Sequence, residues 1–170
     1  SVSDPDTSDT LTTTISVPSI SVGTFTATNG GGTATVGGTG TATLTISGTQ
    51  TQVNLALVTV TFIPAANRNT PADGVTTVTM TTTDGTTTPD TDTFDITLND
   101  LNDPPVGVAD ALPAINEDSV PLVIPFATLT ANDNRGAPNE SSQTITITGI
   151  AAAPAPVGGT VAIVGTDVVF

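Results

Sequence analysis

Apolar residues and hydroxyl residues alternate along much of the chain. Where the pattern is clean, Val, Ile, Leu, Phe or Ala takes every second position, and Thr or Ser takes the positions between them. A period of two puts the apolar residues on one face of a strand and the hydroxyl residues on the other. The segments predicted to be strands on this basis are 11–17, 41–46, 58–62, 75–80, 94–98, 144–148, 161–164 and 168–170.

Turn-forming residues separate these segments. Clusters of Gly, Pro, Asn and Asp recur about every ten residues, a spacing typical of antiparallel β-sandwiches. The high Thr content favours the same class, because a β-branched side chain suits an extended backbone. The sequence therefore predicts an all-β protein of tandem Greek-key β-sandwich modules. One segment departs from the pattern: 50–57 lacks Gly and Pro, and a short helical turn is predicted there.

Strand parity also predicts the core of the first module. The apolar residues of each strand should face inward, and their Thr neighbours should face solvent. The predicted core residues are Leu11, Ile15, Val17, Phe25, Leu44, Ile46, Val58, Val60, Phe62, Val78, Met80, Phe94, Ile96 and Leu98.

A linker interrupts the chain after residue 98. The segment 99–106 is acidic, and its two prolines, Pro104 and Pro105, impose an extended backbone that cannot join the centre of a sheet. We therefore predict one module over 1–103 that lacks its first strand. The N-terminal part of the next, incomplete module is predicted over 104–170.

Internal sequence similarity supports two copies of one module. The residues Thr-Val-Thr-Phe at 59–62 are matched by Asp-Val-Val-Phe at 167–170, which lie 108 positions later. A repeat period near a hundred residues is typical of an array of sandwich domains, since solenoid repeats are much shorter.

The net charge and the missing residue types limit the ligands and activities expected of this chain. The chain carries 16 acidic residues against two basic ones, Arg68 and Arg135, for a net charge of −14. Such a charge disfavours nucleic acid and anionic lipid surfaces, and no apolar run is long enough for membrane insertion. His, Cys, Lys and Tyr are all missing, so the usual catalytic bases and nucleophiles are absent and we predict no enzyme. Clustered carboxylates instead suit a hard cation, above all Ca²⁺.

The linker supplies the first candidate calcium ligands. Asp100, Asn102 and Asp103 lie in the linker itself, and strand parity predicts that the loop with Asp133 and Asn134 folds back beside it. These oxygens would provide much of a calcium shell. The alternative is a solvated interdomain turn, which Asn, Asp and Pro also favour.

A second candidate site lies at the opposite end of the first module. Asp4 and Asp6 are expected there, with the loop 84–92 beside them. They are candidate calcium ligands, and the alternative is a turn built on an Asp-Pro pair. Glu117 and Asp118 are interpreted as a tight turn and not as ligands.

Several short motifs, in the right order, resemble a known family. Asn-Asp-Pro-Pro-Val at 102–106, Asn-Glu-Asp-Ser at 116–119 and Leu-Thr-Ala-Asn-Asp at 129–133 are similar to bacterial cadherin-like tandem repeats, as are 61–67 and 83–85 in the first copy. These repeats occur in giant exported adhesin and biofilm surface proteins. The resemblance implies an immunoglobulin-like Greek-key sandwich with calcium at the joints. It also implies a protein that is secreted or held at the cell surface.

The linker departs from the animal version of this family in one respect. Asp100, Asn102 and Asp103 match the pattern Asp-x-Asn-Asp-Asn, but Pro104 stands where its last Asn would be. With the calcium ligands, the resemblance implies a calcium-stiffened spacer or adhesion module, with neighbouring repeats and cell-surface or matrix ligands as partners. The alternative is a β-sandwich that recognises carbohydrate or protein through its loops. Clustered aromatic residues would favour that alternative, and the chain has only five Phe.

Overall fold

The structure is a computed structural model that describes residues 1–6, 8–116, 118–150 and 160–170. Tertiary contacts divide the chain into two units, Ser1–Asp100 and Leu101–Phe170, whereas the sequence places the boundary after residue 103. Within the described ranges the strands pair antiparallel, and the helices are short. The predicted all-β class is therefore confirmed. None of the described helices is long and apolar enough to cross a bilayer.

The described residues of unit 1 (Ser1–Asp100) form two sheets and two short helices. Its strands are β1 (Leu11–Ser16), β2 (Gly23–Thr26), β3 (Thr35–Gly37), β4 (Thr43–Gly48), β5 (Thr61–Pro64), β6 (Thr76–Thr83) and β7 (Asp90–Ile96). The helices are α1 (Gln50–Leu57) and α2 (Thr70–Asp73). One sheet has the strand order β3-β4-β1-β6-β7, and the other pairs β2 with β5.

The central strand β1 shows how alternation produces a packed face. Leu11, Thr13 and Ile15 are buried, and the residues between them are half exposed. Ile15 lies opposite Leu44 of β4 on one side and opposite Met80 of β6 on the other. Thr13 is fully buried, and its hydroxyl is hydrogen-bonded to that of Thr82 at 3.0 Å. A buried hydroxyl is tolerated when it is paired in this way.

Half of the predicted core residues are buried, and most of the others are half-buried. Val60, Met80 and Leu98 are half-buried, and so are Phe62 and Ile96. The ring of Phe62 packs on the ring of Phe25, with centroids 5.2 Å apart. The predicted core residues that are buried are Leu11, Ile15, Val17, Phe25, Leu44, Ile46 and Val78.

Two of the core predictions are wrong. Val58 is 84% exposed, because it caps the C-terminus of α1 and strand β5 begins only at Thr61. Phe94 is 51% exposed. It lies on β7, the edge strand of a five-stranded sheet, and the opposing sheet has two strands among the described residues. The opposing sheet is too narrow to cover the whole inner face.

The helix predicted near residue 50 is present as α1. The side chain of Gln52 accepts a hydrogen bond from the backbone N–H of Thr49 at 3.0 Å, which ties down the start of the helix. Val53 and Ala56 are fully buried, and the helix contacts β4 and β1. Because their spacing is helical, the period-two pattern did not identify them as core residues.

Unit 2 (Leu101–Phe170) contains a smaller sheet. Its strands are β8 (Val123–Pro125), β9 (Ala162–Val164) and β10 (Asp167–Val169), in the order β8-β10-β9, with the short helix α3 (Phe126–Leu129). Ile124 and Val168 are buried. The strand predicted at 144–148 is wrong, because no strand includes these residues. A strand is stabilised by the ladder it joins, and none of the described pairings includes this segment.

Two glycines of the loop between β3 and β4 form a matched pair for mutation. Gly38 and Gly40 both have positive φ, +75° and +79°. Added Cβ atoms differ in their surroundings: at Gly38 one would overlap the carbonyl of Thr43, and at Gly40 it would meet nothing within 4 Å. We expect Gly40→Ala to lower the free energy of unfolding by about 1–2 kcal/mol, because a Cβ is strained on a left-handed backbone. Gly38→Ala should lower it further. Urea denaturation followed by circular dichroism tests this, and equal costs would contradict it.

Candidate metal centre

An N-terminal segment of unit 1 supplies the first two acidic side chains of the site. Asn54 of α1 holds Val2 by two hydrogen bonds, one accepted from its N–H at 2.8 Å and one donated to its carbonyl at 2.9 Å. Gln50 accepts a third bond from the N–H of Asp4 at 3.1 Å. The N–H of Asp9 donates to the carbonyl of Asp6 at 3.0 Å, which turns the chain before β1. Helix α1 therefore positions this segment.

The loop between β6 and β7 supplies the third acidic side chain. Asp84 is followed by Gly85, which has a φ of +80°. The Oδ1 of Asp84 accepts hydrogen bonds from the backbone N–H of Thr86 at 2.8 Å and of Thr87 at 2.9 Å. An aspartate bonded to the amides that follow it is a common turn device. The turn therefore holds the carboxylate in place by local bonds alone.

The two segments bring three carboxylates together. Oxygens of Asp4, Asp9 and Asp84 all lie within 4.8 Å of one another, and the three side chains are half-buried. We call this group the acidic triad. It adjoins a cleft of about 430 Å³ that is also lined by Asp6 and by Asp92 of β7.

The electrostatics of the triad favour the charged form of Asp84. Hydrogen bonds from the backbone N–H groups of Thr87 and then Thr86 hold the pKa of Asp84 well below its usual range. This carboxylate is therefore ionised at neutral pH. No Lys or Arg lines the described cleft, and Arg68 pairs instead with Asp73 at 3.6 Å. None of the described residues that line this cleft offers a basic side chain to the triad.

The donor set fits a hard cation. All three side chains offer oxygen, and no nitrogen or sulfur ligand is present, which is the ligand chemistry that Ca²⁺ prefers. Asp4 and the loop 84–92 lie together, as the sequence predicts. Asp6 lines the cleft, and its N–H donates to Oδ1 of Asp4 at 2.8 Å. Asp9 was missed, although the run Asp4, Asp6, Asp9 immediately before a strand was a signal available in the sequence.

Two of the linker side chains predicted as ligands, those of Asp100 and Asn102, accept hydrogen bonds in the structure, and Asp103 is bonded through its backbone. Asp100, in unit 1, accepts a hydrogen bond from Nδ2 of Asn69 at 2.9 Å. In unit 2, Oδ1 of Asn102 accepts from Nε2 of Gln143 at 2.9 Å. The N–H of Asp103 donates to the carboxylate of Glu140. The calcium site at the linker stays a prediction.

The loop with Asp133 and Asn134 folds back within unit 2. Val106 and Asn134 form an antiparallel bridge through two backbone hydrogen bonds of 2.9 Å each. Oδ1 of Asp133 accepts from the N–H of Val108 at 2.7 Å. Oδ1 of Asn134 accepts from the N–H of Gly136 at 3.2 Å. The side chains of Asp133 and Asn134 therefore stabilise the loop where it folds back onto Val106.

The sequence did not indicate the buried carboxylate of Glu140, which is bonded to the linker residue Asp103. Glu140 is 1% exposed and accepts backbone hydrogen bonds from Asp103 and, at 3.2 Å, from Ala137. Gly136 lies directly against it, and a Cβ there would overlap the carboxylate. A buried carboxylate is tolerated when backbone donors satisfy it. In the sequence, only Asn139 and Glu140 after Pro138 indicated a short capped turn.

The comparisons with known proteins identify no family for this chain. A scan against protein-family models finds no match, and searches of the curated proteins and of the solved structures find none either.

Proposed function

We propose that this chain is a calcium-stiffened structural module of a large extracellular surface protein, serving as a spacer or adhesion repeat. The observation that carries the proposal is the acidic triad, Asp4, Asp9 and Asp84, at one end of a β-sandwich. The lack of basic side chains among the described residues that line the adjoining cleft favours a cation as its partner. The alternating Thr strands and the motifs that resemble those of cadherin-like repeats support the class of protein.

The triad joins two segments that are far apart in the sequence. Asp4 and Asp9 precede β1, and Asp84 follows β6. When the carboxylates are unscreened, their mutual repulsion pushes the N-terminal segment away from the β6–β7 loop. Bound calcium would supply positive charge to these oxygens and hold the two segments together. The end of the module then becomes stiffer, as a spacer in an extended array requires.

A calorimetric titration tests the proposal. Calcium chloride is added to the full chain after chelator treatment, with Asp84→Asn as the test variant. Asn retains the oxygen that accepts from Thr86 and Thr87, so the turn should persist while the charge is lost. We expect the calcium affinity to fall by about 10- to 100-fold, since even indirect partners of a metal site contribute that much.

Asp95→Asn is the matched control. Asp95 lies on β7 of the same unit, is exposed and accepts a hydrogen bond from Thr77 at 2.6 Å, so the control removes the same charge outside the triad. It should bind calcium like the wild type. Equal affinities in all three proteins would remove the triad as the site, and the absence of any calcium heat in the wild type would overturn the proposed function.

A further inference from the structure

The loop between β2 and β3 contains the one place in the sequence where Asn is followed by Gly, at Asn29 and Gly30. The side-chain amide of an asparagine can be attacked by the backbone nitrogen of the next residue, which forms a five-membered succinimide ring. This attack is least hindered when the next residue is Gly, because no Cβ stands in the way and the backbone rotates freely. Asn29 is exposed, so water can reach its side chain.

The fold requires Gly at position 30 for two separate reasons. The φ angle of Gly30 is +64°, in the left-handed region that favours glycine. A Cβ added to Gly30 would also overlap the backbone carbonyl of Leu55 in α1. A larger residue would therefore push the loop away from the helix. The packing of this loop on α1 thus keeps the residue that leaves Asn29 open to attack.

The hydrogen bonds of the loop also favour the attack on Asn29. The side-chain Oδ1 of Asn29 accepts a bond from the N–H of Gly31 at 3.1 Å. Negative charge develops on this oxygen when the nitrogen of Gly30 adds to Cγ, and a backbone N–H aimed at such an oxygen stabilises the charge. The N–H of Gly30 donates to the hydroxyl of Thr28 at 3.3 Å, which is long for a hydrogen bond. A weak bond of this kind releases the attacking nitrogen easily.

We propose that Asn29 is a site of spontaneous deamidation and backbone isomerisation in the folded chain. The nitrogen of Gly30 bonds to Cγ of Asn29 and loses its proton, the Cγ–Nδ2 bond breaks, and ammonia leaves with that proton. Water then opens the succinimide ring. Attack of water at Cγ gives aspartate at this position, and attack at the backbone carbonyl gives isoaspartate, in which the main chain runs through the former side chain. Water is the only other reactant.

The reaction changes a neutral part of the molecule. Residues 10–67 contain no charged side chain, and either product adds a carboxylate there. Isoaspartate also lengthens the main chain inside a turn that the N–H of Gly32 closes by donating to the carbonyl of Asn29 at 3.0 Å. The isomerised loop should therefore pack less closely on Leu55. Calcium is not involved, so this inference stands apart from the proposed function.

Mass spectrometry of the full chain tests the proposal. The folded chain is incubated at neutral pH, then unfolded and cut by trypsin after Arg68 and Arg135, and fragment 1–68 is compared with that of an unincubated sample. Conversion of the amide to a carboxylic acid should raise the mass of the fragment by about 1 Da, and fragmentation should locate the change at Asn29. Asn54 of the same fragment should not change, because helix α1 fixes its backbone.

A variant and a peptide provide matched controls. Asn29→Gln keeps the amide but would have to close a six-membered ring, which forms much more slowly, so its fragment should not gain mass. A synthetic peptide with the sequence of residues 27–33 shows the reaction without the fold and should deamidate under the same conditions. An equal gain of mass in Asn29→Gln, or a folded wild type that stays unchanged while the peptide reacts, would overturn the proposal. The same holds if neither the peptide nor the wild type reacts.

A second variant separates reaction in the folded loop from reaction in unfolded molecules. Gly40→Ala lies in a different loop, between β3 and β4, and its strained backbone should raise the unfolded population about 5- to 30-fold. Urea denaturation measures that increase. Deamidation of the folded loop should proceed in this variant at the wild-type rate. A rate that rises in proportion to the unfolded population would show that Asn29 reacts only after unfolding, and the proposal would be wrong.

Discussion

Replacing Phe25 by alanine is expected to lower the free energy of unfolding of unit 1 by about 3–5 kcal/mol. Phe25 is 2% exposed and contacts the ring of Phe62 at 5.2 Å between centroids. Truncation removes apolar area from the core and leaves a cavity, because the paired strands around it cannot close in. Urea denaturation followed by far-ultraviolet circular dichroism measures the loss, since the chain has no Trp or Tyr for fluorescence.

Phe94→Ala is the control for this substitution. It removes the same atoms in the same unit, but Phe94 is 51% exposed. Phe94→Ala should lower the free energy of unfolding much less than Phe25→Ala does, because less apolar area is returned to water and no closed cavity forms. Similar costs for the two variants would show that the inner face of β7 is covered in solution.

Calcium is expected to stabilise unit 1 by about 2.7 kcal/mol at a concentration one hundred times the dissociation constant. The triad exists only in the folded chain, because Asp84 lies 75 residues beyond Asp9 in the sequence. Binding to the folded state alone raises stability by mass action. Thermal unfolding in calcium and in chelator measures the difference.

The same experiment separates the triad from nonspecific screening of charge. Asp84→Asn should lose most of the calcium effect, and Asp95→Asn should keep it. Magnesium should substitute poorly, because it requires a tighter octahedral shell and loses its water reluctantly. If magnesium or added sodium chloride stabilises the chain as much as calcium does, the effect is screening and the triad is not a calcium site.

Local patterns were sufficient to predict much of the fold. The alternation in β1 and β4 identified Leu11, Ile15, Leu44 and Ile46 as core residues, and all four are buried. Period-two alternation is a property of neighbouring residues, so it can be read without knowing which strands pair. The same reasoning failed at Val58, where a helix cap interrupts the strand.

The candidate site was predictable in part. Strand parity placed Asp4 beside the loop that begins at Asp84, because each strand carries the chain from one end of a sandwich to the other. Asp9 was not predicted, since its role depends on the turn that brings it back toward Asp4. Glu140 was not predicted either, because its partner Asp103 lies 37 residues away.

The sequence by itself determined the all-β class and the apolar faces of strands such as β1 and β4, since both follow from the geometry of one extended segment. Only the tertiary structure decided how wide each sheet is, and therefore that Phe94 stays exposed. It also decided which acidic side chains meet. Those outcomes depend on contacts between segments distant in the chain, and such contacts form only when the whole unit has packed.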